Sequence, residues 1–306
     1  MKTNVAIIIG FFLLGAFLVG YKITEQMNIP QKEAAPRYAE PSAREIAFNP
    51  PSLDDVPDGP VGEAIKYGHQ LISETDTMLP DYVGNKLSCI SCHAGGGLDI
   101  NSSPFVGVTT AFPQYRPREG VVFTLEDRIN GCMVRSMNGK ELPYDSKEMR
   151  AMMAYLTYIS EGIPVGADLP WRMQNSTDNL PIPNLEDGEK LYKQSCLACH
   201  GADGSGTGSS TGPALWGDNS FNDGAGLSRM TKLAGYIMNT MPKGQGGTLS
   251  DQEVSNLAAF ILSMDRPEWK GHDTDWPNGG RPNDIINKEL REQIRNGTID
   301  WEQVLN

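Results

Sequence analysis

The sequence predicts a mainly α protein built from two similar domains in tandem, preceded by an apolar N-terminal segment. Three observations carry this. A five-residue cysteine motif occurs twice, Cys196 of the second copy lying 104 positions after Cys92 of the first. Each copy is followed by a capped stretch with apolar residues at helical spacing, and 306 residues suffice for about two domains of ordinary size. At 39% hydrophobic and 21% charged residues the composition is globular, neither disordered nor fibrous. Lys and Arg number 26 against 38 Asp and Glu, a net charge of −12 that excludes nonspecific nucleic-acid binding and argues against a simple anion trap. Five cysteines are too few for a disulfide scaffold, and their odd count leaves at least one without a cysteine partner in the chain.

Residues 5–21 form an uncharged run of seventeen, at the lower limit of about 17 for a membrane-spanning helix. Lys2 and the amino terminus place positive charge on the cytoplasmic side, so the remaining chain is expected outside the cytoplasm. Residues 1–21 read as an uncleaved signal anchor, with a cleaved signal peptide as the competing reading; no small-x-small site directly follows Val19. Residues 22–57 are polar and carry six prolines, as expected of an extended tether.

The repeated motif is CISCH at 89–93 and CLACH at 196–200, the CxxCH signature of c-type haem attachment. Cys89, Cys92, Cys196 and Cys199 would form thioethers to two haem groups, and His93 and His200 would be the proximal iron ligands. A zinc ribbon requires CxxC pairs about 15–20 residues apart, and a thioredoxin-like pair requires a βαβ context; neither condition is met. The expected fold is therefore two cytochrome c-like haem domains, at 58–165 and 185–306, joined by a Pro-rich linker at 166–184.

The flanks repeat as well. Asn184 can cap a helix over GEKLYKQS (188–195) that runs into Cys196; the comparable first-half segment is GEAIKYG (62–68), followed by an insertion up to Ser88. Ser250 and Glu253 form a capping box ahead of Val254, Leu257, Ala258, Ile261 and Leu262, and Asp145 with Glu148 is expected to do the same ahead of Met149, Met152, Met153 and Leu156. These methionines read as core packing. The tail 266–306, with Trp269, Trp276 and Trp301, is expected to carry one short helix near 285–295 and to pack across the domains. His69 and His272 read as surface residues.

A six-coordinate haem needs a second axial ligand, commonly a methionine in the loop before the last helix. In the second half Met241, followed by Pro242 and 41 residues after His200, fits best, with Met238 its rival. In the first half spacing favours Met137, 44 residues after His93, with Cys132 at 39 residues and a bis-histidine site using His69 as alternatives. Cys132 is the one cysteine outside the haem motifs, and a free thiol in an exported protein is at risk of oxidation unless buried or metal-bound.

The segment RINGCMVRSMNG (128–139), with Leu79-Pro80 and Val83-Gly84-Asn85 ahead of Cys89, resembles the dihaem thiosulfate dehydrogenase family, which also contains tetrathionate reductases. The similarity spans about 59–265, and GCMVRSMNG is its most specific part. The resemblance implies that the first haem is the active site with His93 and Cys132 as axial ligands, that Met137 is displaced from the iron, and that the second haem, with His200 and Met241, relays electrons. It implies that two thiosulfates are joined into tetrathionate, or the reverse. It nominates Arg118 and Arg128 as anion clamps, since guanidinium forks match oxyanions, and Ser136 as a hydroxyl donor. The expected partners are thiosulfate or tetrathionate, a soluble periplasmic cytochrome or similar carrier, and the membrane through the N-terminal segment. A tethered dihaem electron carrier without substrate chemistry and a dihaem peroxidase are the competing functions.

Overall fold

The computed structural model describes residues 46–172 and 175–306, so the apolar segment 5–21 and most of the tether lie outside the described residues. Among the described residues no helix is long and apolar enough to cross a membrane. They belong to one compact unit, within which the apolar side chains gather into two cores.

In the first core, helix α1 (Pro60–Ser73) crosses helix α3 (Lys147–Tyr158), with helix α2 (Leu125–Arg135) between them in sequence. Leu71, Met149, Met152 and Tyr155 are almost fully buried there, and Met153, also expected in the core, packs against it only partly buried. The second core repeats this crossing with α4 (Leu185–Ser195) against α6 (Asp251–Ser263), and α5 (Met230–Thr240) packs on α6. Both crossings are closed by a glycine. A Cβ on Gly68 would collide with the carbonyl oxygen of Ala151, and one on Gly188 with that of Asn256, so each helix pair approaches backbone to backbone. The repeat is therefore in register at Gly68 and Gly188, not at Gly62. From that glycine the haem motif begins eight residues on in the second half and twenty-one in the first.

Asn184 caps α4 by accepting from the amide of Asp187, and the Ser250–Glu253 capping box opens α6 as expected. Helix α3 departs by one residue: Ser146, not Asp145, accepts from the Met149 amide, leaving Glu148 inside the first turn where it favours the helix dipole. The tail carries two helices, α7 (Lys288–Asn296), capped by Asn287, and α8 (Trp301–Leu305), capped by Asp300. Arg295 on α7 donates to the Ser263 carbonyl at the end of α6.

Two features were not foreseen. A short antiparallel hairpin, β1 (Gln114–Arg116) with β2 (Val121–Phe123), presents Arg116, Arg118 and Glu119 just ahead of α2. The stretch read as a linker also holds a helical turn at Pro170–Arg172. There Leu169 and Trp171 are buried in the first core, and the Trp171 indole donates to the Val106 carbonyl.

Candidate active site

Cys89 and His93 lie on either end of a single tight turn, and Cys196 and His200 do the same in the second half, where His200 is buried. Each histidine fixes one ring nitrogen on the backbone: Nδ1 of His93 meets the Ser103 carbonyl and Nδ1 of His200 meets that of Pro213 at 2.8 Å. This pairing sets the tautomer and leaves Nε2, with its lone pair, as the ring's metal donor. Burial lowers the pKa of both rings, that of His93 to about 4, so the lone pair is free at neutral pH. The His93 ring stacks on Phe105 with centroids 4.1 Å apart.

No disulfide joins any of the five cysteines. Burial pushes Cys89 up to about 11, Cys92 to about 12 and Cys196 to about 11, the opposite of the depressed thiol that drives a redox CxxC pair. Among the described residues no cluster of three or more His, Cys, Asp or Glu could enclose a metal ion. One imidazole with a free Nε2 in a motif with two thiols fits a haem, whose ring brings four nitrogen ligands of its own, and does not fit zinc.

Cys132 is carried by α2. Thr124 caps that helix through a reciprocal box with Asp127, and Asn130 pins its middle by exchanging two hydrogen bonds with the backbone of Leu142. Arg128 and Cys132 are one turn apart, so they share a face, and Nη1 of Arg128 donates to Sγ of Cys132 at 2.9 Å. The charge of Cys132 is felt at Cys89 and Cys92 of the first haem motif, where it adds to burial in raising both pKa values. Met137, favoured by spacing, is 3% exposed and packs into the first core. Its main chain is tied on both sides, its amide donating to the Cys132 carbonyl and its carbonyl accepting from Gly84.

The other nominated residues divide. Ser136 follows α2 directly, and among the described residues its hydroxyl makes no hydrogen bond; its carbonyl accepts from Asn85 Nδ2 at 2.8 Å. Arg118 is held by the tail: Nε and Nη2 donate to Asp275 Oδ2 at 3.0 and 2.6 Å, and its guanidinium lies over the Trp276 ring at 4.8 Å. Arg135 pairs with Glu119 at 2.8 Å and lies near Asp275 at 3.8 Å. Met241 caps the end of α5 and is half-buried against the second core, as is its rival Met238. His69 is half-buried against Gly96 and Tyr155, and His272 donates into the buried Asp223 at 2.7 Å, so neither is the surface residue expected. Sequence reasoning overlooked Arg172, whose charge is felt together with those of Arg128 and Arg116. It stands 36 residues past Ser136, and no motif marks it.

Two family profiles match the chain, "SoxA/TsdA, cytochrome c domain" over 82–165 and "Cytochrome C oxidase, cbb3-type, subunit III" over 183–261. Among similar proteins, a thiosulfate dehydrogenase of Allochromatium vinosum is 44% identical over 230 residues, covering 72% of this chain and 85% of that one. Another from Psychrobacter arcticus is 40% identical over 239 residues, covering 77% and 73%. The solved thiosulfate dehydrogenase TsdBA of Marichromatium purpuratum, in its as-isolated form, superposes with a TM-score of 0.69 at 30% identity. That match covers 78% of this chain and 55% of the length of the other.

Proposed function

Because the chain belongs to the thiosulfate dehydrogenase family, we propose that it joins two thiosulfates into tetrathionate, or runs the reverse, at the first haem domain, and passes electrons through the second. A sulfur–sulfur bond forms between the outer sulfurs of the two anions, two electrons leave, and no proton is released. One c-type haem held at each CxxCH motif supplies a one-electron site, so a pair matches the two electrons of the sulfur couple.

The observation that carries this reading is the lone thiol of Cys132, donated to by Arg128 and electrostatically felt at the first haem motif. His93 and Cys132 would be the two residues to hold the iron of a haem bound at the first motif, and a thiolate donor would lower its potential. Arg128 screens that sulfur and offers its remaining donors to a substrate oxyanion. The free hydroxyl of Ser136, four residues beyond Cys132, supplies a further donor. Arg118, whose Nε and Nη2 are taken by Asp275, has Nη1 left to offer an oxyanion. In the second domain His200 and Met241 complete a relay site. Residues beyond 21 lie in the periplasm, tethered by the apolar N-terminal segment, and the electrons pass to a soluble carrier with a basic face that complements the net charge of −12.

Low-temperature electron paramagnetic resonance of the holoprotein tests the ligand assignment. A low-spin signal of histidine and thiolate type, lost in Cys132→Gly, is expected beside a second low-spin site. Two His/Met signals would replace this reading with a simple electron carrier, and a high-spin site with a peroxidase. Protein-film voltammetry with thiosulfate and with tetrathionate gives the direction of turnover.

A further inference from the structure

We propose that the C-terminal tail is part of the substrate site, with Asp275 as the positioning residue that aims Arg118 at a sulfur oxyanion and Trp276 as the platform beneath that guanidinium. The inference rests on the sulfur-coupling reading above, in which Arg118 offers a donor to the anion, and it gives the tail a task in binding.

Arg118 stands at the tip of the hairpin between β1 and β2, whose turn closes from the Gly120 amide to the Arg116 carbonyl at 2.8 Å. A long side chain on such a turn samples many rotamers unless something holds it. The tail holds it. Asp275 Oδ2 accepts from Nε and Nη2 at 3.0 and 2.6 Å, which fixes the plane of the guanidinium and leaves Nη1 without a hydrogen-bond partner among the described residues. The Trp276 ring lies 4.8 Å from the same guanidinium, and the Trp276 amide donates to the Arg118 carbonyl at 2.6 Å. The side chain and the main chain of Arg118 are thus gripped by two consecutive tail residues, the first of them 157 positions along the chain. The flanks of the turn are closed in the same way. Asn278 Nδ2 donates to the Tyr115 hydroxyl at 3.1 Å, and a Cβ on Gly120 would strike the Pro277 ring.

The tail loop is itself fixed before it meets the hairpin. The Trp269 amide and His272 Nε2 both meet the buried Asp223 at 2.7 Å, and the Trp269 indole donates to Asp275 Oδ2 at 3.1 Å. Trp276 has φ +56°, a left-handed backbone uncommon for a bulky residue, and this strained residue is the one that meets both the main chain and the guanidinium of Arg118. The charge of Asp275 is shared, since its Oδ1 lies 3.8 Å from Nη2 of Arg135, so the acid orients Arg118 without fully neutralising it. An oxyanion arriving at Nη1 meets a guanidinium whose rotamer freedom has already been given up, and binding no longer carries that entropic cost.

Steady-state thiosulfate oxidation by the holoprotein is compared for the natural chain, Asp275→Asn, Arg118→Met and the double variant, with haem content and thermal midpoint measured on each. Asp275→Asn is expected to raise KM about fivefold with kcat little changed, because the freed arginine must be ordered by the anion. In the Arg118→Met background the same substitution is expected to change nothing, since no guanidinium is left to aim. An unchanged or lowered KM in Asp275→Asn overturns the inference. So does a rise of the same size in both backgrounds, which is what a general loss of packing gives. Trp276→Leu, which keeps the amide bond to the hairpin, carries the test if Asp275→Asn loses haem or melts early. A rise in KM of about threefold that vanishes in the Arg118→Met background sustains the inference, and no rise ends it. A natural chain that does not oxidise thiosulfate overturns the coupling reading along with the inference, whereas an active natural chain matched by Asp275→Asn overturns the inference alone.

Discussion

Arg128 and Cys132 sit one helical turn apart with a hydrogen bond between them, so neither can be changed without altering the other's environment. Cys132→Gly is expected to keep both haems, since no attachment residue is touched, while thiosulfate oxidation falls by about 100-fold or more. Haem content by alkaline pyridine spectroscopy and steady-state rates on the same preparation check this; near-normal turnover would remove Cys132 from the reaction. A second residue-scale expectation concerns Asp223, which is almost fully buried and receives Arg291, His272 and the Trp269 amide. Burial alone raises its pKa, but those partners outweigh it and the net value is below the ordinary one. A depressed folded-state pKa means the contribution is complete above the unfolded value of about 4 and is lost as pH falls through the folded value. Asp223→Asn is thus expected to cost about 3 kcal/mol near neutral pH and to flatten the acid limb of the stability profile. Denaturant titrations from pH 3 to 7 give both quantities.

At the scale of elements, each domain is set by one crossing of two helices with a glycine at the contact. Gly188→Ala would drive a methyl into the Asn256 carbonyl, a backbone atom that cannot turn aside. The expected loss is about 3 kcal/mol, the upper end for overpacking, and it should weaken the second domain's haem site before the first. Thermal melts followed in each haem's visible band distinguish the two. Helices were also the part most open to sequence reading, because a cap and an apolar period are local signals. Ser250 with Glu253, and Asn184, mark their helices correctly, whereas Asp145 stands beside a serine that caps equally well by type. The hairpin Gln114–Arg116 with Val121–Phe123 escaped because three-residue strands are too short to show a period of two. Spacing favoured Met137 over Cys132 since both fall in the same short stretch. In the fold Gly84 donates to the Met137 carbonyl and the methionine side chain is buried, a difference from Cys132 that spacing does not contain. Arg172 lies far along the chain from Arg128, and its relation to the site exists only in the folded molecule.

At the scale of the whole molecule, a net charge of −12 coexists with a cationic patch at the first haem domain. The far field would therefore favour the basic electron carrier proposed above, while the near field at Cys132 is less hostile to anions than the net charge implies. The second-order rate of electron delivery to a basic cytochrome is expected to fall as ionic strength rises through a Debye length of about 10 Å, and stopped-flow rates against salt would show a flat line if the charge plays no part. The tail joins these scales, since Asp275 and Trp276 grip Arg118 of the first domain while Arg291 grips Asp223.

The segment just beyond Cys132 is also where the two halves of the chain are stitched together. Asn85 donates to both Ser136 and Ser220, Asn222 donates to Val134 and Asn138, and Ser91, inside the first haem motif, donates to Ser209. These two halves are consequently poor candidates for independent evolutionary shuffling. A gene cut between them would release fragments whose exposed amides and apolar faces still match, and the fragments would reassemble as a heterodimer where unlinked cytochromes would drift apart.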